Sequence, residues 1–171
     1  MVGAQFGFQS NSMKISTGTG TELSGSSFSL MAFYDTPAFS SVWLRFNVGV
    51  QSLTATSGDT CTENGLNEAC SVDIMYLGLG GVARYMFTKK GSMRYWAGAG
   101  ILANVPLSKK ASALQEATIK TTHIKTINGG VDYYMSSKMM IPIEFSYGLY
   151  PDSSTTKSTV MSLKAGIGYK F

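Results

Sequence analysis

The sequence is short of charge. Asp, Glu, Lys and Arg make up 14% of its 171 residues, against roughly 25% in soluble domains. It also lacks long hydrophobic runs. The longest near-candidate, Ile74 to Ala83, is interrupted by Gly78, Gly80 and Gly81 and closed by Asp73 and Arg84. A membrane helix needs about 20 apolar residues in succession, so a bundle of such helices is excluded. Histidine is nearly absent, with His123 alone. The two cysteines, Cys61 and Cys70, form no C-x-x-C pair and have no His beside them. Zinc is therefore not expected, and no cofactor is implied. The cysteines sit in a polar stretch, where a local disulfide and an oxidising compartment are the expectation; two free thiols are the alternative. The net charge of +4 is spread along the chain, and its largest basic clusters are the pairs Lys89–Lys90 and Lys109–Lys110. That is no footprint for nucleic acid. Met1 is followed by Val-Gly-Ala-Gln-Phe, with no basic region and no apolar run. An export leader is thus not visible.

What is present is alternation. In Val42–Gln51 the residues Val42, Leu44, Phe46, Val48 and Val50 are apolar, and their alternates are Trp43, Arg45, Asn47, Gly49 and Gln51. Period two places these sets on opposite faces of a strand. The pattern recurs in Tyr95–Val105, Met139–Tyr150 and Met161–Phe171, and more weakly in Val2–Gln9, Phe28–Tyr34, Met75–Phe87 and Ile127–Met135. Eight segments result, near the length a tilted membrane strand requires. Pro142 falls inside one of them and cannot donate to a ladder, so a bulge or local break is expected there.

The connections alternate too. Long polar ones, Ser10–Ser27, Ala55–Val72, Pro106–Thr118 and Pro151–Ser158, take turns with short ones near Asp35–Ser40, Thr88–Ser92 and Ser136–Lys138. An up-and-down meander with tight turns at one end and extended loops at the other has this form. Aromatics crowd the short turns: Phe33, Tyr34, Phe39, Trp43, Tyr85, Phe87, Tyr95, Trp96, Tyr133, Tyr134, Tyr169 and Phe171. A girdle at a membrane–water boundary accounts for them, with Tyr85, Phe87, Tyr95, Tyr133 and Tyr169 as its expected members.

The polar face carries Arg45, Arg84, Arg94, Asp132, Glu144 and Lys164, together with many glycines. Glycine weakens a solvent-facing strand, whereas a narrow lumen needs small residues beside large ones. Charges on a lipid face cost about 2–4 kcal/mol at mid-depth. The polar face is therefore expected inside and the apolar face against lipid. Glu144 is expected to pair with Lys164 on the adjacent strand, or with Arg45 or Arg84 across the lumen, since an unpartnered buried carboxylate would protonate. A polar plug or an ion path are the two readings of that cluster.

These segments, the loop asymmetry and the ending Ala165-Gly166-Ile167-Gly168-Tyr169-Lys170-Phe171 resemble the small outer-membrane β-barrels of Gram-negative bacteria, the OmpA transmembrane-domain and OmpX-like group. The resemblance spans essentially the whole chain. It implies an all-β fold, one domain over residues 1–171, forming an eight-stranded antiparallel up-and-down transmembrane barrel. It implies that Met161, Leu163, Ile167, Tyr169 and Phe171 carry the signal read by the barrel-assembly machinery. Outer-membrane lipid and lipopolysaccharide would surround the barrel, in the bacterial outer membrane, with an external loop partner also in view. In the lipid A deacylase barrels a His is followed two positions later by Ser; after His123 that position is Lys125. No catalytic residue is therefore assigned. Lys109, Lys110, Lys120 and Lys125 lie near the third long loop, where lipopolysaccharide phosphates would meet them. The expected function is a non-enzymatic barrel with a polar, plugged lumen and a structural or adhesive role. The alternatives are a lipid A- or phospholipid-modifying enzyme, a small channel, and a soluble barrel that binds an apolar ligand.

Overall fold

The computed structural model describes the chain except residues 16–20, 64–65, 89, 114–115, 117–118 and 152–155, and the side chains of 62–68. Lys89, of the basic pair Lys89–Lys90, lies outside the described residues. Among the described residues eight strands follow one another: β1 (Val2–Ile15), β2 (Thr21–Pro37), β3 (Val42–Glu63), β4 (Leu66–Met86), β5 (Met93–Ala111), β6 (Thr122–Tyr134), β7 (Met139–Leu149) and β8 (Thr156–Tyr169). Each pairs antiparallel with the next, and β8 returns to β1 through Val2↔Tyr169, closing the barrel. Closure pairs the edge groups that hydrocarbon would leave unsatisfied.

Every segment read as alternating lies on a strand, but the strands run further. The stretches expected as external loops, Ser10–Ser27, Ala55–Val72 and Pro106–Thr118, are in good part strand: β1 reaches Ile15, β2 begins at Thr21, and β5 continues to Ala111. The reason is an inversion of pattern along each strand. Within the membrane band Phe6, Phe8, Phe46 and Val48 face outward and are exposed, while Gln5, Gln9, Arg45 and Gln51 face the lumen and are buried. Beyond it the same inward faces carry Met13, Ile15, Leu53, Ala55, Val72 and Ile74, all buried. Their outward neighbours are Ser12, Lys14, Thr54 and Asp73. Lipid demands apolar side chains outside; water above it demands them inside. These inward residues, with Leu23, Cys70, Tyr76, Ala111 and Ile119, form one apolar cluster that fills the external half of the barrel.

Three irregularities interrupt the wall among the described residues, one of them a register shift on β3 between Thr56 and Thr60. On β5, Met75↔Ser108 is followed by Tyr76↔Pro106, so Leu107 is an inserted residue. This bulge shifts the alternation by one and turns Ala111 inward onto the apolar cluster. Of the bulge or local break expected at Pro142, the local break is what forms. Its register with β6 is continuous, and with β8 the pairs Met140↔Gly168 and Ile143↔Ala165 share one register. Only the β8-side pairing lapses, over Ile141 and Pro142; a missing N–H removes a bond toward one neighbour without inserting a residue. At the opposite end the turns are tight. In the β4–β5 turn Gly91 holds φ at 96°, a region side-chain-bearing residues rarely occupy.

Glycines set the barrel's radius. A Cβ on Gly166 would fall on the carbonyl oxygen of Ala4 in β1, and one on Gly98 on that of Ala83 in β4. The inward face of a tightly curled wall is compressed, so the obstacle is the neighbouring backbone rather than the lumen's contents.

Candidate functional site: a charged lumen

The membrane half of the lumen is ionic. Arg45, from β3, is fully buried. Its Nε and Nη2 donate to Asp35 Oδ1 and Oδ2, each at 2.7 Å. Its Nη1 donates across the lumen to Glu144 Oε2 at 3.3 Å. Arg84, from β4, donates Nη1 to Asp35 Oδ2 at 3.0 Å and Nη2 to Asp132 Oδ2. Lys164, from β8, donates to Glu144 Oε1 at 3.0 Å. Three carboxylates therefore face three cations, and each carboxylate is bonded. Desolvating these ions would cost several kcal/mol apiece if they stood alone; here each is matched within the cluster.

Aromatic rings cap the guanidinium planes. Arg45 lies over Phe33 at 4.2 Å from the ring centroid, and Arg84 over Trp96 at 4.0 Å. Phe33 and Trp96 are thus lumen residues, buried beneath the arginines, and not members of the girdle. Trp43 packs inward beside Val82, Met86 and Trp96, and Tyr134 lies under Arg94 at 4.2 Å. The inward faces at this end need flat apolar partners for guanidinium as much as the outer face needs a girdle. Tyr85, Phe87, Tyr95, Tyr133 and Tyr169, the residues expected in the girdle, are all exposed on the outer wall. Tyr85 meets Phe87 edge-on at 5.5 Å.

The structure gathers Arg45, Arg84, Asp132, Glu144 and Lys164, and Glu144 bonds two of its three expected partners at once, Lys164 and Arg45. Arg94 stands apart: it is opposite Asp132 in register, yet among the described residues no ion pair joins it to the network. Asp35 is the member that sequence reasoning missed, by placing it in the first short turn. Its signal was present in the alternation Met31, Phe33, Asp35, which continues the inward face of β2.

Toward the external end the ions give way to amides and hydroxyls. Asn11 Nδ2 donates to Ser27 Oγ at 2.8 Å, Ser27 Oγ donates to Gln9 Oε1 at 3.2 Å, and the hydroxyls of Ser146 and Ser162 lie 2.6 Å apart. A cavity beside Glu144, Lys164, Asn47 and Asn128 holds about 30 Å³, the share of roughly one water. Above this layer sits the apolar cluster. The plug is polar in its membrane half only, a correction to a lumen read as polar throughout.

Cys61 and Cys70 are joined, with S–S 2.07 Å. The bond ties β3 to β4 and seats Cys70 in the apolar cluster. Met161, Leu163, Ile167, Tyr169 and Phe171 all face outward along β8 and its end. His123 is exposed on the outer wall of β6, on one face with Lys125. Lys109 donates to the Ile119 carbonyl. Among the described residues no group of three His, Cys, Asp or Glu is placed to hold a metal.

An inside-out closed meander with a charge-matched ionic interior and an apolar outer belt defines a small transmembrane β-barrel. No protein-family model matches the chain, and no curated protein matches it in sequence. Solved structures do match. Neisserial surface protein A is 18% identical, with 98% of this chain and 97% of that chain covered and a TM-score of 0.58. The outer membrane protein OprG from Pseudomonas aeruginosa is 14% identical, with 99% of this chain and 95% of that chain covered and a TM-score of 0.59. The chain has the eight-stranded fold of the small outer-membrane barrels.

Proposed function

We propose that this chain is a non-enzymatic integral protein of the bacterial outer membrane. It works as a closed, rigid barrel that holds its hairpins above the lipid surface for a structural or adhesive role. The observation that carries the reading is the double plug. The three-against-three ion network around Arg45 closes the membrane half, and the cluster around Leu53 and Ile74 closes the external half. Ions crossing such a lumen would have to break bonded pairs and then enter a dry apolar layer. Above the lipid, apolar side chains fix the hairpins, which suits presentation of a surface better than gating.

His123 supports no hydrolytic reading: Lys125 shares its face, and among the described residues no carboxylate lines the recess around them. Planar-bilayer recording of the refolded chain tests the proposal, with His123→Ala assayed beside it for lipid turnover. The expected results are no discrete conductance steps and no turnover by either protein. Stepwise conductance would replace the reading with a channel, and turnover lost in the variant would replace it with an enzyme.

A further inference from the structure

The chain has three arginines, Arg45, Arg84 and Arg94. The first two bond carboxylates of the barrel itself: Arg45 takes Asp35 and Glu144, and Arg84 takes Asp35 and Asp132. Arg94 does not. Asp132, opposite it in register, is held by Arg84. Among the described residues no hydrogen bond or ion pair reaches the Arg94 guanidinium, and its Nε is buried without an acceptor. Buried donors in folded proteins nearly always have a partner. The Tyr134 ring lies against the guanidinium face at 4.2 Å, which fixes the plane and leaves its edge to donate.

Arg94 lines a cavity of about 630 Å³ at the mouth of the barrel, where Pro37, Gly91 and Ser136 bring the tight turns to its rim. The lining offers the hydroxyls of Thr36, Ser92, Ser136 and Ser137 and the rings of Trp43 and Tyr134. Among the described residues Asp35 is the one carboxylate in it, and Arg45 and Arg84 occupy both of its oxygens. Lys170 also lines the cavity, as does Met1, whose amine donates to the Asp35 carbonyl oxygen at 2.9 Å. The sequence excludes a further acidic partner at this end. Of the ten acidic residues three belong to the lumen network, and the other seven fall in the long hairpins at the opposite end. The tight-turn segments 38–41, 87–92 and 135–138 contain no Asp or Glu.

We propose that this mouth is a binding site for a hydroxylated carboxylic acid of sugar-acid size. The edge of Arg94 donates to the ligand's carboxylate, as Arg45 does to Asp35 deeper in the same lumen. Ser136 Oγ already accepts from the Lys138 and Met139 amides, which leaves its proton to give to a ligand hydroxyl, and Trp43 offers a flat apolar face to the ligand's carbon side. A cavity of this volume suits a small molecule. A phosphate monoester is a poorer occupant: it brings close to two negative charges to one ring-backed guanidinium, while Lys170 is exposed to water. The site lies at the end away from the hairpins and does not depend on what they present.

The test uses the full chain refolded in detergent micelles and titrated calorimetrically with glucuronate, glucose and glucose 6-phosphate. Heat-modifiable gel mobility reports whether each protein is folded. Glucuronate should bind, and the other two should bind more weakly. Arg94→Gln should weaken glucuronate about tenfold or more, the effect of losing a charge-assisted bond. Lys14→Gln makes the same change of charge at the far end of β1 and should leave binding as it is. Ser137→Trp fills the mouth, changes no charge, and should abolish binding while the mobility shift persists. Absence of glucuronate binding, equal binding by folded Arg94→Gln, or binding retained in Ser137→Trp would overturn the proposal. Glucose bound as well as glucuronate would remove the carboxylate from it, and glucose 6-phosphate bound more tightly would give the site to phosphates instead. Should Arg94→Gln fail to fold, Ser137→Trp decides alone.

Discussion

Arg45 and Asp35 meet side by side, two nitrogens to two oxygens, each at 2.7 Å, in a part of the lumen with no access to solvent. Asp35 also accepts from Arg84. Asp35→Ala would leave both guanidinium groups short of a buried partner, at a cost of about 3–5 kcal/mol. Urea unfolding in lipid vesicles, followed by Trp96 fluorescence beside Arg84, measures it. The double variant Asp35→Ala, Arg45→Ala should lose less than the sum of the single losses. Strict additivity would mean that the pair is not coupled.

The inversion of pattern along β3 predicts opposite outcomes on one strand face. Phe46→Arg places a charge in the lipid belt and should cost about 2–4 kcal/mol. Thr54→Arg, outward on the same strand but above the belt, should change stability by less than about 0.5 kcal/mol. Equal losses at the two sites would mean that the band does not end between them.

The bond between Cys61 and Cys70 closes a short loop and should contribute about 2.7 kcal/mol in the chain-entropy model. Replacing both residues by Ala avoids placing a hydroxyl in the apolar cluster that holds Cys70. Protease cleavage within the β3–β4 hairpin should rise in the variant, while the membrane half stays folded. Loss of heat-modifiable mobility would instead couple the hairpin to the whole barrel.

Gly166 and Gly129 separate inward from outward glycines. A Cβ at Gly166 falls on the backbone of β1, whereas one at Gly129 makes ordinary contact, with its nearest neighbour, the Trp96 carbonyl oxygen, at 3.7 Å. Gly166→Ala should destabilise by about 1–3 kcal/mol, and Gly129→Ala should be near neutral. Refolding yield and urea midpoints report both.

The membrane half was legible because lipid and lumen impose opposite demands on successive residues. Val42 to Val50 could not satisfy them in another register, and Arg45 and Glu144 had to face inward. Asp35 was missed because acidic residues beside Pro and Ser usually mark turns, and nothing local distinguishes a turn Asp from the last inward residue of a strand. Phe33 and Trp96 went to the girdle for a similar reason: proximity to a turn sets height, while parity sets the face, and parity decided. Met13–Ser16 and Thr118–Thr126 could be read as extending strands beyond the membrane, as β1 to Ile15 and β6 from Thr122 do; the longer extensions of β2, β3, β4 and β5 were hidden by their Ser and Thr content. Leu53, Ile74 and Met13 signalled inward packing there, but only once strands are allowed to continue into water with their pattern reversed.

Strands that continue past the lipid have a consequence for whatever approaches the cell. Ser10, Ser12 and Lys14 on β1 stand beside Glu22, Ser24 and Ser26 on β2 in paired register, repeating every two residues at about 6.6–6.8 Å. A visitor to this end of the molecule meets a ruled lattice of hydroxyls and charges at set intervals, so a rigid, periodic ligand matches it better than a compliant one.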